Sequence, residues 1–251
     1  MPSTRNLSVR NSALITGASD GLGLELARQM LAKGWTVGIV VRSRDKALSG
    51  GLAGAALYQA DLSQASQAFI SDQELCCYDV LVNNAGASTF GSFESLTSEQ
   101  IQQLSQLNFV TPLVLMNRFL RMAPSNAMVV NVSSITGQVP MPFNGLYSAC
   151  KAAMIAVTQL ARIEGSSRDV KILDFCPGSI STNFQSKGGA TSHVRAGQAM
   201  SAAQAAGILL KAIEQGKTGV IRPDKVAKVL ALATPRLWMP LSRLLARKSR
   251  P

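Results

Sequence analysis

Ala13-Leu14-Ile15-Thr16-Gly17-Ala18-Ser19-Asp20-Gly21-Leu22-Gly23 is the stretch whose reading decides the fold. Ala13–Ile15 predicts a buried strand, and Gly21–Lys33 carries the apolar spacing of an amphipathic helix. The turn between them is rich in glycine, which adopts backbone conformations closed to other residues and lets a ligand approach the main chain. A helix that begins at such a turn offers free N–H groups and the positive end of its dipole, which suits a pyrophosphate. Glycine serves many turns, so the weight lies in its place between the first strand and the first helix.

The alternation continues outward from there. Thr36–Val41, Ala56–Gln59, Val80–Val82, Ala127–Val132, Val170–Phe175 and Val220–Ile221 read as strands. Ser98–Met122, Leu146–Glu164 and Ala202–Gln215 read as helices, the first with a kink or an early-turn adjustment expected at Pro112. Strands alternating with helices imply parallel strands joined by right-handed crossovers, an α/β doubly wound sheet of Rossmann-like type. With no repeat and no Pro/Gly/Ser linker, residues 1–251 are expected to form a single domain. Ligands of such sheets bind beyond the carboxyl ends of the strands, where the strand order reverses.

Composition narrows the classes. An apolar fraction of 47% over 251 residues supports a sizeable core and argues against disorder. The net charge of +11 admits nucleic acid, an anionic surface or a phosphorylated cofactor as partner. Aromatics at 5%, not interleaved with basic residues, and the absence of a nucleic-acid-binding motif argue against the first. Cys76, Cys77, Cys150 and Cys176 include no CxxC, and His193 is the one histidine, so no metal site is expected and the thiols read as reduced, cytoplasmic ones. No signal-peptide core precedes Ser12, and no run of about 18 apolar residues marks a membrane span.

Four further motifs follow in order: Asn83-Asn84-Ala85-Gly86, Ser134 placed 13 residues before a tyrosine, Tyr147-Ser148-Ala149-Cys150-Lys151, and Pro177-Gly178 with Thr182. Together with TGxxxGxG at 16–23, this series resembles the short-chain dehydrogenase/reductase family, from about residue 12 to 222. The resemblance implies an NAD(P)(H)-dependent oxidoreductase that moves a hydride between nicotinamide and a carbonyl or alcohol. It places Asn108, Ser134, Tyr147 and Lys151 in the catalytic group. It places Gly17, Ser19, Asp20, Gly21, Leu22, Gly23, Arg42, Asp61, Asn83, Ala85, Gly86, Tyr147, Lys151, Pro177, Gly178 and Thr182 around the cofactor. In it Asp61 lies beside the adenine, Asn83 and Ala85 line the adenosine side, and Thr182 meets the carboxamide. Asn108 holds a water leading from Lys151 to solvent. Asp61 reads equally as the cap of a following helix. A homodimer or homotetramer, paired through the long helices of Asn108 and Tyr147, is also implied.

The chemistry of these residue types agrees. Tyr147 and Lys151, four apart, share a helix face, so the ammonium and the positive nicotinamide are expected to lower the tyrosine from its usual value near 10. Tyr147 then serves as proton donor in reduction, and Ser134 orients the carbonyl oxygen. NADP(H) is favoured over NAD(H), because the second strand ends on Val41 followed by Arg42 instead of an acidic residue. Asp20, where NADP-preferring relatives often carry a basic residue, dissents.

Residues 183–200, following PGxxxT, are expected to form the flap over the substrate, with Met141, Phe90, Phe143 and Phe184 as candidates for an apolar wall. Residues 226–251 set leucines and Trp238 among Arg236, Arg243, Arg247 and Lys248. They read either as packing on the sheet edge or a subunit, or as a segment lying on an anionic bilayer. A membrane-associated reductase of a lipid-like carbonyl, a catalytically silent cofactor binder and a nucleic-acid binder are the competing functions.

Overall fold

Five strands rich in apolar residues and almost entirely buried make the centre of the molecule, and such strands are stable only where both sheet faces are covered. A computed structural model describes residues 11–64, 69–164, 169–182, 184, 188 and 199–224. The strands are β1 (Ser12–Thr16), β2 (Thr36–Val41), β3 (Ala56–Gln59), β4 (Val80–Asn83), β5 (Met128–Val132), β6 (Lys171–Phe175), β7 (Ile180–Ser181), β8 (Met200–Ser201) and β9 (Gly219–Ile221). Seven form one parallel sheet in the order β3-β2-β1-β4-β5-β6-β9, while β7 and β8 pair separately. The strand order reverses between β1 and β4, which opens a crevice beyond their carboxyl ends.

The helices are α1 (Gly21–Ala32), α2 (Arg44–Ser49), α3 (Asp72–Leu75), α4 (Ser98–Ser105), α5 (Thr111–Met122), α6 (Gly145–Glu164) and α7 (Ala202–Glu214). Side chains alternate across each strand. Ile15, Ile39, Leu173 and Phe175 pack with Leu26 of α1 and Leu209 of α7. Leu14, Val40, Val129 and Ile172 pack on the other face with Leu115 and Phe119 of α5. Each layer buries a continuous apolar face, the dominant favourable term in folding.

Every strand and long helix read from the sequence is present, with ends shifted by one or two residues. The helix expected over Ser98–Met122 is corrected in detail. Of the two expectations for Pro112 the early-turn one holds, since it lies in the first turn of α5, and the irregularity is a π-helical turn at Gln106–Val110, just before it. Pro112 has no N–H, so it cannot be the usual fourth-residue donor to the Asn108 carbonyl, and the widened turn lies where that bond is lost. Helices α2 and α3 and the β7–β8 pair are too short to show periodicity. Among the described residues no helix is long and apolar enough to cross a membrane. Residues 226–251, His193 and all of the 183–200 flap except Phe184, Gly188, Ala199 and Met200 lie outside the described residues.

Candidate active site

The glycine turn is built by close approach. Gly17 and Gly21 have positive φ of 70° and 55°, and a Cβ on Gly17 would come within 2.7 Å of the Ala85 backbone. A Cβ on Gly23 would collide with the Asn84 amide, and one on Gly21 would press the Thr182 methyl at 3.0 Å. The glycines therefore bring the first strand–helix turn, the loop after β4 and the loop after β6 together at one point. Thr16, not among the expected site residues, ties the first two: its Oγ1 accepts from the Asn84 and Ala85 N–H groups, each at 3.0 Å. Asn84 donates to Thr16 O at 2.9 Å and Gly17 O at 3.2 Å. A narrow, backbone-walled cleft at a helix N-terminus fits a dinucleotide pyrophosphate.

The remaining cofactor-side residues divide. Leu22 is buried in the core, so only its N–H faces the turn, and Ser19 is half-buried beside it. Asp20 caps α1, accepting from Gly21 N–H at 2.8 Å, while its second oxygen pairs with Lys46 at 3.0 Å. Arg42 is exposed at the end of β2, beyond buried Val41. Asp61 accepts from the Ser63 amide at 3.0 Å and hydroxyl at 2.7 Å, closing a turn after β3. Burial acts upward on its carboxyl, but those bonds and the nearby Arg42 outweigh it and hold the group below its usual value. The Asn83 side chain turns away from the cleft, donating to Pro112 O and to Asn131, so only its backbone is left to line a ligand. Pro177 O accepts from Ile135 N–H at 3.0 Å, and Gly178 N–H donates to Asp224 at 2.9 Å, which pins the loop carrying Thr182.

Ser134, Tyr147 and Lys151 are 8%, 9% and 5% exposed, so the three polar groups meet where water is largely excluded. Ser134 follows β5 and starts a 3-10 turn, its Oγ accepting from Thr136 N–H at 3.2 Å and hydroxyl at 3.0 Å. That turn lies against α6 because Gly137 is there; a Cβ would meet the Lys151 carbonyl carbon at 2.7 Å. Lys151 Nζ donates to Val132 O at 2.8 Å and lies 5.5 Å from the centre of the Tyr147 ring. Burial pulls the ammonium down to about 8. The expected lowering of Tyr147 is not met by the polypeptide itself. Burial raises the phenol and outweighs the Ser134 hydroxyl, while the ammonium is directed to Val132 O. Tyr147 is thus a neutral phenol with a proton to give.

Asn108 is fully buried within the π turn. Its amide donates to Ala87 O and Leu104 O, each at 2.9 Å, and its Oδ1 accepts from Ala87 N–H at 3.2 Å. These bonds use the side chain to hold the loop after β4. A Cβ on Gly86 would sit 2.9 Å from Asn108 Oδ1, so this glycine makes room for the Asn108 side chain, with Lys151 Nζ in ordinary contact distance of the same point at 3.7 Å.

The side of the cleft away from the glycine turn is aromatic. Phe90 and Phe143 have ring centres 6.0 Å apart, and Phe184 tilts on Tyr147 at 5.5 Å. Phe143 has φ of 61° as the third residue of a turn closed by Asn144 N–H to Met141 O at 3.2 Å, with Pro142 second. That conformation costs a bulky residue about 1–3 kcal/mol and is held by Gly91 N–H donating to Phe143 O at 2.9 Å.

Comparison with known proteins agrees with this geometry. The family model for short chain dehydrogenase matches residues 11–192. Ketoacyl reductase HetN of a Nostoc species is 32% identical over 182 residues, covering 68% of this chain and 63% of that protein. Bovine dehydrogenase/reductase SDR family member 7B is 30% identical, covering 96% of this chain and 83% of its own. Among solved structures, the angucycline C-6 ketoreductase LanV with bound NADP superposes with a TM-score of 0.75 at 23% identity, covering 85% of this chain and 93% of its own. A short-chain dehydrogenase from Sphingobium yanoikuyae in complex with NADPH gives 0.71 at 22% identity, covering 94% of each.

Proposed function

The chain belongs to the short-chain dehydrogenase family, and from that premise we propose that this NAD(P)-dependent oxidoreductase uses NADP(H) to reduce an uncharged, apolar carbonyl compound. The observation that carries the reading is the burial of Ser134, Tyr147 and Lys151 together, beside the glycine cleft. The bound dinucleotide supplies hydride at nicotinamide C4. Ser134 donates a hydrogen bond to the substrate oxygen, and Tyr147 gives that oxygen its proton. Lys151 holds the nicotinamide ribose hydroxyls and sets the field at the phenol. Phe90, Phe143 and Phe184 favour a substrate without charge near its carbonyl.

Support for NADP(H) comes from Val41 and Arg42 at the end of β2 and from the Asp20–Lys46 pair. Lys46 offsets the one acidic side chain of the glycine turn, which removes the objection that Asp20 raised. Solved neighbours holding NADP and NADPH agree. Arg42→Ala is expected to lower kcat/KM with NADPH by about tenfold or more, the loss of a forked charge-assisted contact, and to leave NADH nearly unaffected. Steady-state kinetics with both cofactors check this, and wild type that prefers NADH overturns the assignment. The reaction itself is tested by NADPH consumption over ketones, aldehydes, quinones and 3-oxoacyl thioesters; no turnover with either dinucleotide sinks it.

The protomer is proposed to act as a homodimer or homotetramer. Leu160 and Ile163 of α6, 56% and 70% exposed, and Val114 of α5 support pairing across these helices. Sedimentation equilibrium at one 26.5 kDa mass would refute it. A cytoplasmic location fits the free thiols, while contact of residues 226–251 with a membrane surface rests on the sequence alone.

A further inference from the structure

We infer that Asp174 is a buried counter-charge that keeps Lys151 protonated and so fixes the alkaline limit of the reaction. The inference rests on the assignment of Lys151 above, but on different observations. Asp174 lies near the carboxyl end of β6, fully buried; its polar neighbours at the ends of β5 and β6 are the Ser133 hydroxyl and the Cys176 thiol, neutral groups that make no well-aligned hydrogen bond to it. Neutral neighbours alone leave a buried carboxylate poorly compensated, so this one calls for a charged partner.

Strand alternation fixes its direction. Leu173 and Phe175 point into the layer of α1 and α7, and Ile172 into the opposite layer, so Asp174 and Cys176 face the α6 side. Register sets Asp174 beside Asn131 and Phe175 beside Val132, the residue whose carbonyl receives the Lys151 ammonium. Asp174 thus stands beneath the catalytic helix, one residue along from the point where the ammonium is anchored. Its surroundings are the buried Ser133 hydroxyl just after β5, Cys176 just after β6, and Lys151 and Arg162 from α6. Around Lys151 the titratable neighbours are Asp174, Cys150, Cys176 and Tyr147.

The energetics run in one direction. Burial is the largest influence on Lys151 and lowers it, and the Asp174 carboxylate is the largest opposing one. Burial likewise raises the Asp174 carboxyl, against Ser133 and Lys151. A buried acid and a buried amine share a proton in two ways, as carboxylate with ammonium or as acid with neutral amine. Only the first supplies the positive charge that the site uses. Asp174 lies under the helix and acts through Lys151, as a positioning residue, without touching substrate or cofactor.

Asp174→Asn keeps shape and removes charge. In wild type, kcat/KM for reduction should fall as pH rises through about 8, where the ammonium is lost. In Asp174→Asn that limb should move down by about one pH unit, since an opposite charge at close range shifts a neighbour by that much or more. A merely structural role would lower activity at every pH and leave the limb in place, and a limb that stays in place in a folded variant overturns the proposal. Asp174→Ser, which errs toward a small cavity, should move the limb the same way and serves if the Asn variant does not fold. Wild type gives an independent reading: with 13C-labelled aspartate, one carboxyl resonance should titrate with the midpoint of the kinetic limb. No aspartate signal moving between about pH 6 and pH 10 overturns the proposal without any variant. Loss of this effect with Tyr147→Phe still inactive would remove Asp174's role and leave the oxidoreductase reading intact.

Discussion

Tyr147→Phe is expected to lower kcat by about three orders of magnitude, the middle of the range for a lost general acid, while NADPH affinity stays close to wild type. The substitution deletes one oxygen from a residue that is 9% exposed, and little volume changes. The ring keeps its contact with Phe184 at 5.5 Å and its place under the Lys151 ammonium, so the cleft should retain its shape. What disappears is the neutral O–H that burial maintains. Water cannot easily replace it where Ser134 and Lys151 are themselves nearly closed to solvent. The loss should therefore appear in kcat and kcat/KM alike, the signature of an interaction made chiefly in the transition state. Cofactor fluorescence titration and steady-state reduction, run on the same preparation, check both halves. A variant within about tenfold of wild type would remove Tyr147 from the chemistry.

How far the sequence speaks for itself differs from element to element. The buried strands were legible because Ala13–Ile15, Thr36–Val41 and Ala127–Val132 are apolar on both faces, which a parallel sheet under two helix layers requires. Helices α2 and α3 span six and four residues, less than two turns, and leave no periodic trace. Ser134, Tyr147 and Lys151, the proposed catalytic group, could be picked out because the whole series of motifs resembles a known family; the spacing of the pair alone would also suit an ordinary helix face. Asn83 shows the opposite case. Its identity suggested a lining residue, yet whether its side chain faces the cleft or the core depends on Pro112 and Asn131, 29 and 48 residues away. Lys46 could not be picked out because its meaning comes from Asp20, 26 residues earlier. Asp174 reads as an ordinary acidic residue until the register of β6 places it under Lys151. Thr16 and Gly137 carried local signals, one inside the glycine motif and one three residues after Ser134, but their partners are distant in the chain.

Lys151→Met separates the two duties that Tyr147 does not share. Methionine is close in length and apolar, so it should fill the buried space of the lysine stem, and the backbone contact of α6 with the 3-10 turn at Gly137 does not involve the side chain. The Val132 carbonyl loses its donor, which costs about 1–3 kcal/mol, but the burial cost of the ammonium is removed as well. The two terms oppose, and the Asp174 carboxyl, already raised by burial, takes up a proton once its counter-charge is gone, so the melting temperature should change by only a few degrees, as a net change of about 1 kcal/mol would give. Function should suffer far more. Without the ammonium the site has no charge to hold the nicotinamide ribose hydroxyls or to stabilise negative charge on the Tyr147 oxygen once its proton has left. The expected result is a fall in kcat/KM of about 10³-fold or more, accompanied by at least about tenfold weaker NADPH binding. The second number separates this variant from Tyr147→Phe, in which binding survives. Lys151→Arg should not rescue it. A planar fork is wider than an ammonium and directs its donors differently, and the position is 5% exposed with Nζ seated 2.8 Å from the Val132 carbonyl. Normal NADPH affinity in Lys151→Met, measured on folded protein, would show that Lys151 acts on Tyr147 alone and that some other residue holds the ribose.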